Sequence, residues 1–264
     1  MSLLFKLKNR YTKFIFNLSA SENRLYLMFY KYFYKPKKGS LQYYLDQYSR
    51  KHKPVSFLQI GANDGFVYDP LHKFIKRDMW SGVMLEPLPD VYKDFLSKLH
   101  RKRPEIKTIN AALDVSDGFR PLYKIAISNK RWATGLSSFY KDVLISKLNS
   151  KRFLKYVKRE KIKLPENIEE IVVSENIPTI SPDTLLKLFD KNGFKLLAID
   201  TEGFDFEILK MLDLSRISPE VILYEEVNFD DNTTKECRNY IEKHGYTLMT
   251  IKKDVIAFRN DIKI

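Results

Sequence analysis

Hydrophobic positions along the chain follow two rhythms. From about residue 55 onward, short apolar runs alternate with helix-like segments. Val55–Ile60, Gly82–Glu86, Ile106–Leu113, Lys195–Asp200 and Val221–Tyr224 read as strands. The first is bounded by Gly61 and the second by Pro87. Between them, 69–77, 89–99, 181–190 and 206–212 are predicted helices, the third opening on Ser181-Pro182-Asp183. Pro121–Ile127 and Leu136–Tyr140 read as extended excursions, and Thr247–Ile251 with Asp254–Phe258 as a closing antiparallel pair. Strands alternating with helices predict an α/β fold with a mostly parallel sheet, helices on both faces and an antiparallel closing strand.

Before residue 55 the rhythm is purely helical. Leu3, Leu4, Leu7, Tyr11, Phe14, Ile15 and Leu18 fall on one face, with Lys6, Arg10 and Lys13 mainly off it. The chain therefore divides into an N-terminal helical arm, 1–54, and an α/β domain, 55–264.

Charge sharpens this division. The 264 residues carry a net +13, but residues 1–54 hold twelve Lys and Arg against two acids, Glu22 and Asp46. The arm also holds 13 of the 36 aromatics. A basic, aromatic, amphipathic arm fits an anionic membrane surface, and equally fits packing on protein. The body is nearly balanced and lacks RRM, KH or zinc-finger signatures, so RNA is a weaker reading and DNA is not expected. Apolar runs are too short to span a bilayer, and lysines interrupt what would be a signal-peptide core. The expected location is cytoplasmic, or peripheral on the inner membrane surface. The single Cys237 excludes a disulfide framework. A second basic stretch, Lys147 to Lys163, reads as a solvated helix or mobile loop, with flanking of the substrate entrance as the alternative.

In an open α/β sheet, ligands bind along the carboxyl ends of the strands. The first such end reads Gly61-Ala62-Asn63-Asp64-Gly65. Asn63 and Phe66 stand where a dinucleotide loop needs glycines, and Asp64 would repel a pyrophosphate. A small-residue turn carrying a carboxylate suits a cation, and S-adenosylmethionine offers a sulfonium and an ammonium. Glu86, ending the second strand, can accept both ribose hydroxyls, and Asn110-Ala111 at the third strand end is placed for the adenine edge.

These residues match a known family pattern. FLQIGANDG with Asp69-Pro70-Leu71, GVMLEPLP, Asn110-Ala111-Ala112, LLAIDTEGFDFEIL and PEVILYEEVN occur in order. The chain thereby resembles the FkbM-type S-adenosylmethionine-dependent methyltransferases over about residues 55–258. The resemblance implies a Rossmann-like class I methyltransferase sheet and methyl transfer to a hydroxyl, commonly of a sugar, glycan or glycolipid intermediate. It does not reach residues 1–54, and is loose between about 120 and 175.

Acids crowd the other two strand ends. Asp200 and Glu202 follow the fourth strand, and Glu225-Glu226-Val227-Asn228 the fifth. Methyl transfer to oxygen needs an aligned hydroxyl and an acceptor for its proton. Asp200, Glu202 and Glu225 are the candidate catalytic groups. Asp200, Glu202, Glu225 and Asn228 around one Mg2+ is a minority alternative. Thr134 to Ser138 reads as an acceptor-pocket wall or an ordinary polar loop. His72 is placed to face the cleft, whereas His52, His100 and His244 sit in exposed-looking contexts. Two other functions fit the same fold: a membrane-associated scaffold that has lost catalysis, and an RNA methyltransferase.

Overall fold

The computed structural model describes residues 3–128, 130–191 and 193–264, with side chains from residue 7 onward. The side chains of Leu3 and Leu4, assigned above to the apolar helix face, and of Lys6, assigned mainly off it, lie outside the described residues.

Among the described residues the strands form two sheets. The larger contains β1 (Ser56–Ile60), β2 (Ser81–Leu85), β3 (Ile106–Ile109), β8 (Leu196–Ile199), β9 (Val221–Glu225), β10 (Tyr246–Ile251) and β11 (Asp254–Arg259). Its order is β10-β11-β9-β8-β1-β2-β3. The five strands from β9 to β3 run parallel, and β11 enters antiparallel between β9 and β10. This is the expected Rossmann-like sheet with its closing hairpin.

The strands are continuous apolar runs because both faces of the sheet are covered. Leu58, Ile60, Val83, Leu85, Leu197, Ile199 and Ile222 pack on one side with Phe206, Leu209, Leu212 and Ile241. Their neighbours Phe57, Met84, Leu196, Ala198, Val221 and Leu223 pack on the other side with Leu71, Phe74, Ile75 and Trp80. The buried Cys237 sits in the first of these cores, on the helix Asp231–Lys243.

Three helices precede β1: α1 (Leu3–Ala20), α2 (Arg24–Phe33) and α3 (Leu41–His52). Asn23 and Ser40 start the last two, their side-chain oxygens accepting hydrogen bonds from Tyr26 N at 3.1 Å and Tyr43 N at 3.2 Å. Helix α3 places Leu41, Leu45 and Tyr48 in the same core as Phe57 and Trp80. The far end of α1 is tied down against α4 (His72–Asp78). There the buried Ser19 hydroxyl bonds His72 Nε2 at 3.2 Å, Lys76 Nζ donates to Ser19 O at 3.1 Å, and Lys76 pairs with Glu22.

The second sheet was only partly visible in the sequence. It has the order β4-β7-β5-β6, from β4 (Ala112–Leu113), β5 (Gly118–Ile125), β6 (Ser137–Ser138) and β7 (Val172–Ile180). The run 106–113 is therefore two strands in different sheets rather than one. The basic stretch is helical as far as Glu160, with Lys151, Arg152, Lys155, Lys158 and Arg159 exposed, and it flanks the cleft through Lys147, Arg152 and Arg159, but it is anchored rather than simply solvated. It spans the end of helix Lys141–Leu148 and all of Lys151–Glu160, which bury Leu144, Leu148, Phe153 and Val157 in a core of their own. The helix after Ser181 is short, Pro182–Leu186.

Candidate active site

The carboxyl ends of the parallel strands open into a cleft of about 1280 Å³. That is larger than the roughly 300–1,000 Å³ of a typical small-ligand site. Gly61 to Asp64, Glu86, Ala111, Asp200, Glu202 and Glu225 line it, together with Asn228. One wall is α1, through Lys8, Thr12, Lys13 and Phe16. The opposite wall is Lys130 to Ser137 with Arg152, Tyr156 and Arg159. Gly65 and Asn110 are not in the lining. A Cβ on Gly65 would lie 2.7 Å from Leu96 Cδ1, and Asn110 Nδ2 donates to Glu86 O at 2.8 Å and Pro87 O at 2.9 Å. Gly65 thus lets the loop pack on Leu96 and Leu99 of the helical segment after β2, and Asn110 braces the Glu86-Pro87 turn.

The loop after β1 is bound up by its own acids. Asn63 has a left-handed φ of 48°, and its backbone N–H donates to Glu86 Oε2 at 2.7 Å. Leu88 N donates to Glu86 Oε1 at 2.9 Å. Asp64 Oδ1 accepts from Phe66 N and Val67 N, each at 2.9 Å. Asp69 accepts from Leu71 N, His72 N and Gln59 Nε2. Burial raises Glu86 to about 7, against which the two N–H bonds work. Burial also raises Asp64, opposed by Arg131, whose Nε lies 4.0 Å from Asp64 Oδ2. Gly61, at φ 79°, has no alternative residue, since a Cβ there would meet the Asp200 carbonyl oxygen at 2.0 Å. Two strand ends touch at that point.

The acids at the ends of β8 and β9 are held differently from one another. Glu202, at φ 53°, pairs with Lys147 and accepts from Asn228 Nδ2 at 3.1 Å. Its carbonyl accepts from Ser138 Oγ at 3.0 Å. Glu225 pairs with Lys253 at 2.5 Å. The wholly buried Asp205 joins the two ends, accepting from Thr201 Oγ1 at 2.7 Å and from Glu225 N at 3.1 Å. Burial first and Asp200 second push Asp205 up to about 6. Asp200 faces the cleft, and its carboxylate makes no hydrogen bond or ion pair among the described residues. The surrounding protein first, then Glu202 and Glu225, push it up to about 7. Water in the open cleft moderates this shift, and a ligand that displaces the water restores it.

The Mg2+ alternative does not hold. Among the described residues no three His, Cys, Asp or Glu side chains converge in a metal-holding group, and Glu202 and Glu225 are each taken by a lysine. His72 does not face the cleft either. It is 2% exposed, bonded to Ser19, and burial lowers it to about 3. His100 is buried rather than exposed, with burial again lowering its pKa. Residues 134–137 do line the cleft, and Thr134 O accepts from Asn63 Nδ2 at 3.3 Å.

Sequence reasoning missed the cations Arg131, Lys147 and Lys253 and the buried Asp205. It also missed Trp132 and Tyr156, which stack with ring centroids 5.2 Å apart and planes 2° from parallel. Trp132 Nε1 donates to Glu160 Oε1 at 3.0 Å, fixing that platform in the cleft wall.

The donor set fits S-adenosylmethionine. Carboxylates at Asp64 and Glu86 with a glycine turn between strand ends suit a cationic ligand carrying ribose hydroxyls.

The family comparison agrees. The model of the methyltransferase FkbM domain matches residues 59–248. No curated protein matches the chain. Solved structures that are similar include precorrin-6y C5,15-methyltransferase from Geobacter metallireducens GS-15, at 14% identity and TM-score 0.38, covering 86% of this chain and 93% of that one. Another is the SAH-bound methyltransferase PaMTH1 of Podospora anserina, at 11% identity and TM-score 0.40, covering 98% and 97%. A third is the human methyltransferase 10 domain containing protein, at 8% identity and TM-score 0.37, covering 84% and 80%. Likeness at this level says nothing of substrate. The family match spans most of the chain and contains the whole strand rim, so the chain belongs to the FkbM methyltransferase domain family, the S-adenosylmethionine-dependent methyltransferases.

Proposed function

We propose that the protein transfers a methyl group to a hydroxyl of a sugar, glycan or glycolipid intermediate. The observation that carries the reading is Asp200: an unpartnered carboxylate, exposed to the cleft between two lysine-paired acids, whose pKa rises towards about 7 as a ligand displaces the cleft water. A base near neutrality is what proton removal from a weakly acidic hydroxyl needs.

Gly61, Ala62, Asn63, Asp64, Glu86 and Ala111 would hold the cofactor, with Gly65 and Asn110 shaping the turns behind them. When bound, S-adenosylmethionine supplies an electrophilic methyl group on a positively charged sulfur. Glu86 keeps lone pairs for ribose hydroxyls after accepting from Asn63 and Leu88. Asp200 would accept the proton that the acceptor hydroxyl gives up as its oxygen takes the methyl group, the electrons of the broken carbon–sulfur bond leaving with S-adenosylhomocysteine. Glu202 and Glu225, paired with Lys147 and Lys253, raise Asp200 through their proximity and orient the hydroxyl. The Trp132–Tyr156 platform gives a sugar ring a flat apolar surface to lie against.

Asp200→Asn tests the assignment. It should lower kcat by about 100-fold or more, the scale of general-base loss. Its affinity for S-adenosylhomocysteine should stay near that of the unmodified protein. Full turnover in the variant would remove Asp200 as the base.

A further inference from the structure

The burial of α2 is inverted. Tyr26, Tyr30 and Tyr34 face the body, where Tyr26 and Tyr30 share a hydrogen bond at 2.7 Å and Tyr34 packs on Phe74. Leu25, Met28, Phe29, Tyr32 and Phe33 face solvent, with Leu25 77% and Phe33 71% exposed. Their spacing of three, one, three and one residues makes a single continuous stripe. Helix α1 adds Leu7, Tyr11 and Phe14, each more than half exposed. Folding of this chain leaves each of these side chains more than half exposed, and an apolar face of this kind marks a docking surface.

The charge around it selects the occupant. Arg10, Arg24, Lys31, Lys35, Lys37 and Lys38 are exposed beside the stripe. The one acid before residue 41, Glu22, is turned inward onto Lys76 and Arg103. A second copy of the chain would press this cationic surface against itself, which like-charge repulsion opposes. No helix among the described residues is long and apolar enough to cross a membrane. The geometry points to α1 and α2 as an interfacial anchor that seats the protein on an anionic lipid bilayer, apolar stripe in the acyl boundary and cations at the headgroups.

The placement also bears on the cleft. Helix α1 lines it with Lys8, Thr12, Lys13 and Phe16 while exposing Leu7, Tyr11 and Phe14. A docked α1 therefore brings the cleft mouth next to the headgroup layer. Resting on the hydroxyl-transfer reading, this narrows the acceptor to a headgroup sugar of a membrane-borne glycolipid. The anchoring itself stands without that reading.

Co-sedimentation of the full chain with vesicles tests the anchor. Equal parts phosphatidylglycerol and phosphatidylcholine should retain the protein, added salt should release part of it, and phosphatidylcholine alone should retain little. Leu25→Ser/Phe29→Ser/Phe33→Ser should weaken retention by about tenfold or more, with S-adenosylhomocysteine affinity and thermal melting unchanged. Lys31→Glu/Lys35→Glu, which leaves the stripe intact, should remove the preference for anionic vesicles. The proposal is overturned if the unmodified protein ignores both vesicle types, if it binds both equally, or if the variants bind as it does. It is also overturned if these variants instead dissolve a dimer or abolish RNA binding while vesicles are ignored. Loss of methyl transfer with vesicle binding intact would count against the hydroxyl-transfer reading alone.

Discussion

Glu86 does two things with one carboxylate. Its oxygens accept from Asn63 N and Leu88 N, which fixes both adjacent turns, and its remaining lone pairs face the cleft. Replacement by Gln keeps the shape but loses the charge. We expect Glu86→Gln to weaken S-adenosylhomocysteine binding by at least about tenfold, in line with the roughly 1.5–3 kcal/mol of a hydrogen bond to a charged group. Isothermal titration reads this directly, and unchanged affinity would remove Glu86 from the cofactor site. Gly61 is constrained by backbone rather than chemistry. Gly61→Ala would set a Cβ against the Asp200 carbonyl at a positive φ. A loss of at least about 3 kcal/mol in urea unfolding should follow. At this scale the sequence was informative where one residue type carries the reason, as with Gly61, Glu86 and Asp200. It was silent on Lys147 and Lys253, which act through partners 55 and 28 residues away. Nothing local in the sequence marks such pairs.

Elements were legible in proportion to how fully they are buried. The parallel strands stand out because both their faces lie in apolar cores. β7 did not, for two physical reasons. Its middle is Ser174-Glu175-Asn176, and it contains Pro178, which argues against a strand. The proline is tolerated because β7 pairs with β4 only at Thr179 and Ile180, leaving an open edge beside it. The basic helix Lys151–Glu160 was legible as a helix, but its packing was not. Eight cations between 147 and 163 hide the two residues, Phe153 and Val157, that hold it in place. Helix α3 shows how such spacing matters outside the family match. Leu45 is fully buried beneath β1, so Leu45→Ala should cost about 2–5 kcal/mol of stability in denaturant unfolding. A loss below 1 kcal/mol, on the order of a surface substitution, would mean α3 is not part of the core.

Across the whole molecule, acids and bases are sorted by function. Most of the net +13 lies in the first 54 residues, while the cleft floor gathers carboxylates whose charge is costly without a ligand. The buried Glu86 binds its proton up to about pH 7 in the folded protein, whereas in the unfolded chain it ionises in the ordinary carboxylate range; Asp200, exposed to cleft water in the ligand-free protein, adds little to this. Between those limits the folded state holds more protons, so unfolding free energy should fall as pH rises from about 4 to 7. Glu86→Gln should flatten that fall in the ligand-free protein. A steeper fall in the variant would contradict the assignment. A bound cation should also oppose that fall, which links the charge pattern of the cleft to its cofactor.

Transfer of a labelled methyl group from S-adenosylmethionine into a total glycolipid extract tests the central claim most directly. The account predicts that the unmodified protein places label in a sugar-containing lipid as an alkali-stable methyl ether, and that Asp200→Asn, binding S-adenosylhomocysteine normally, does not. Label released by mild alkali as from an ester, label in RNA or protein instead of lipid, or equal transfer by Asp200→Asn would contradict it.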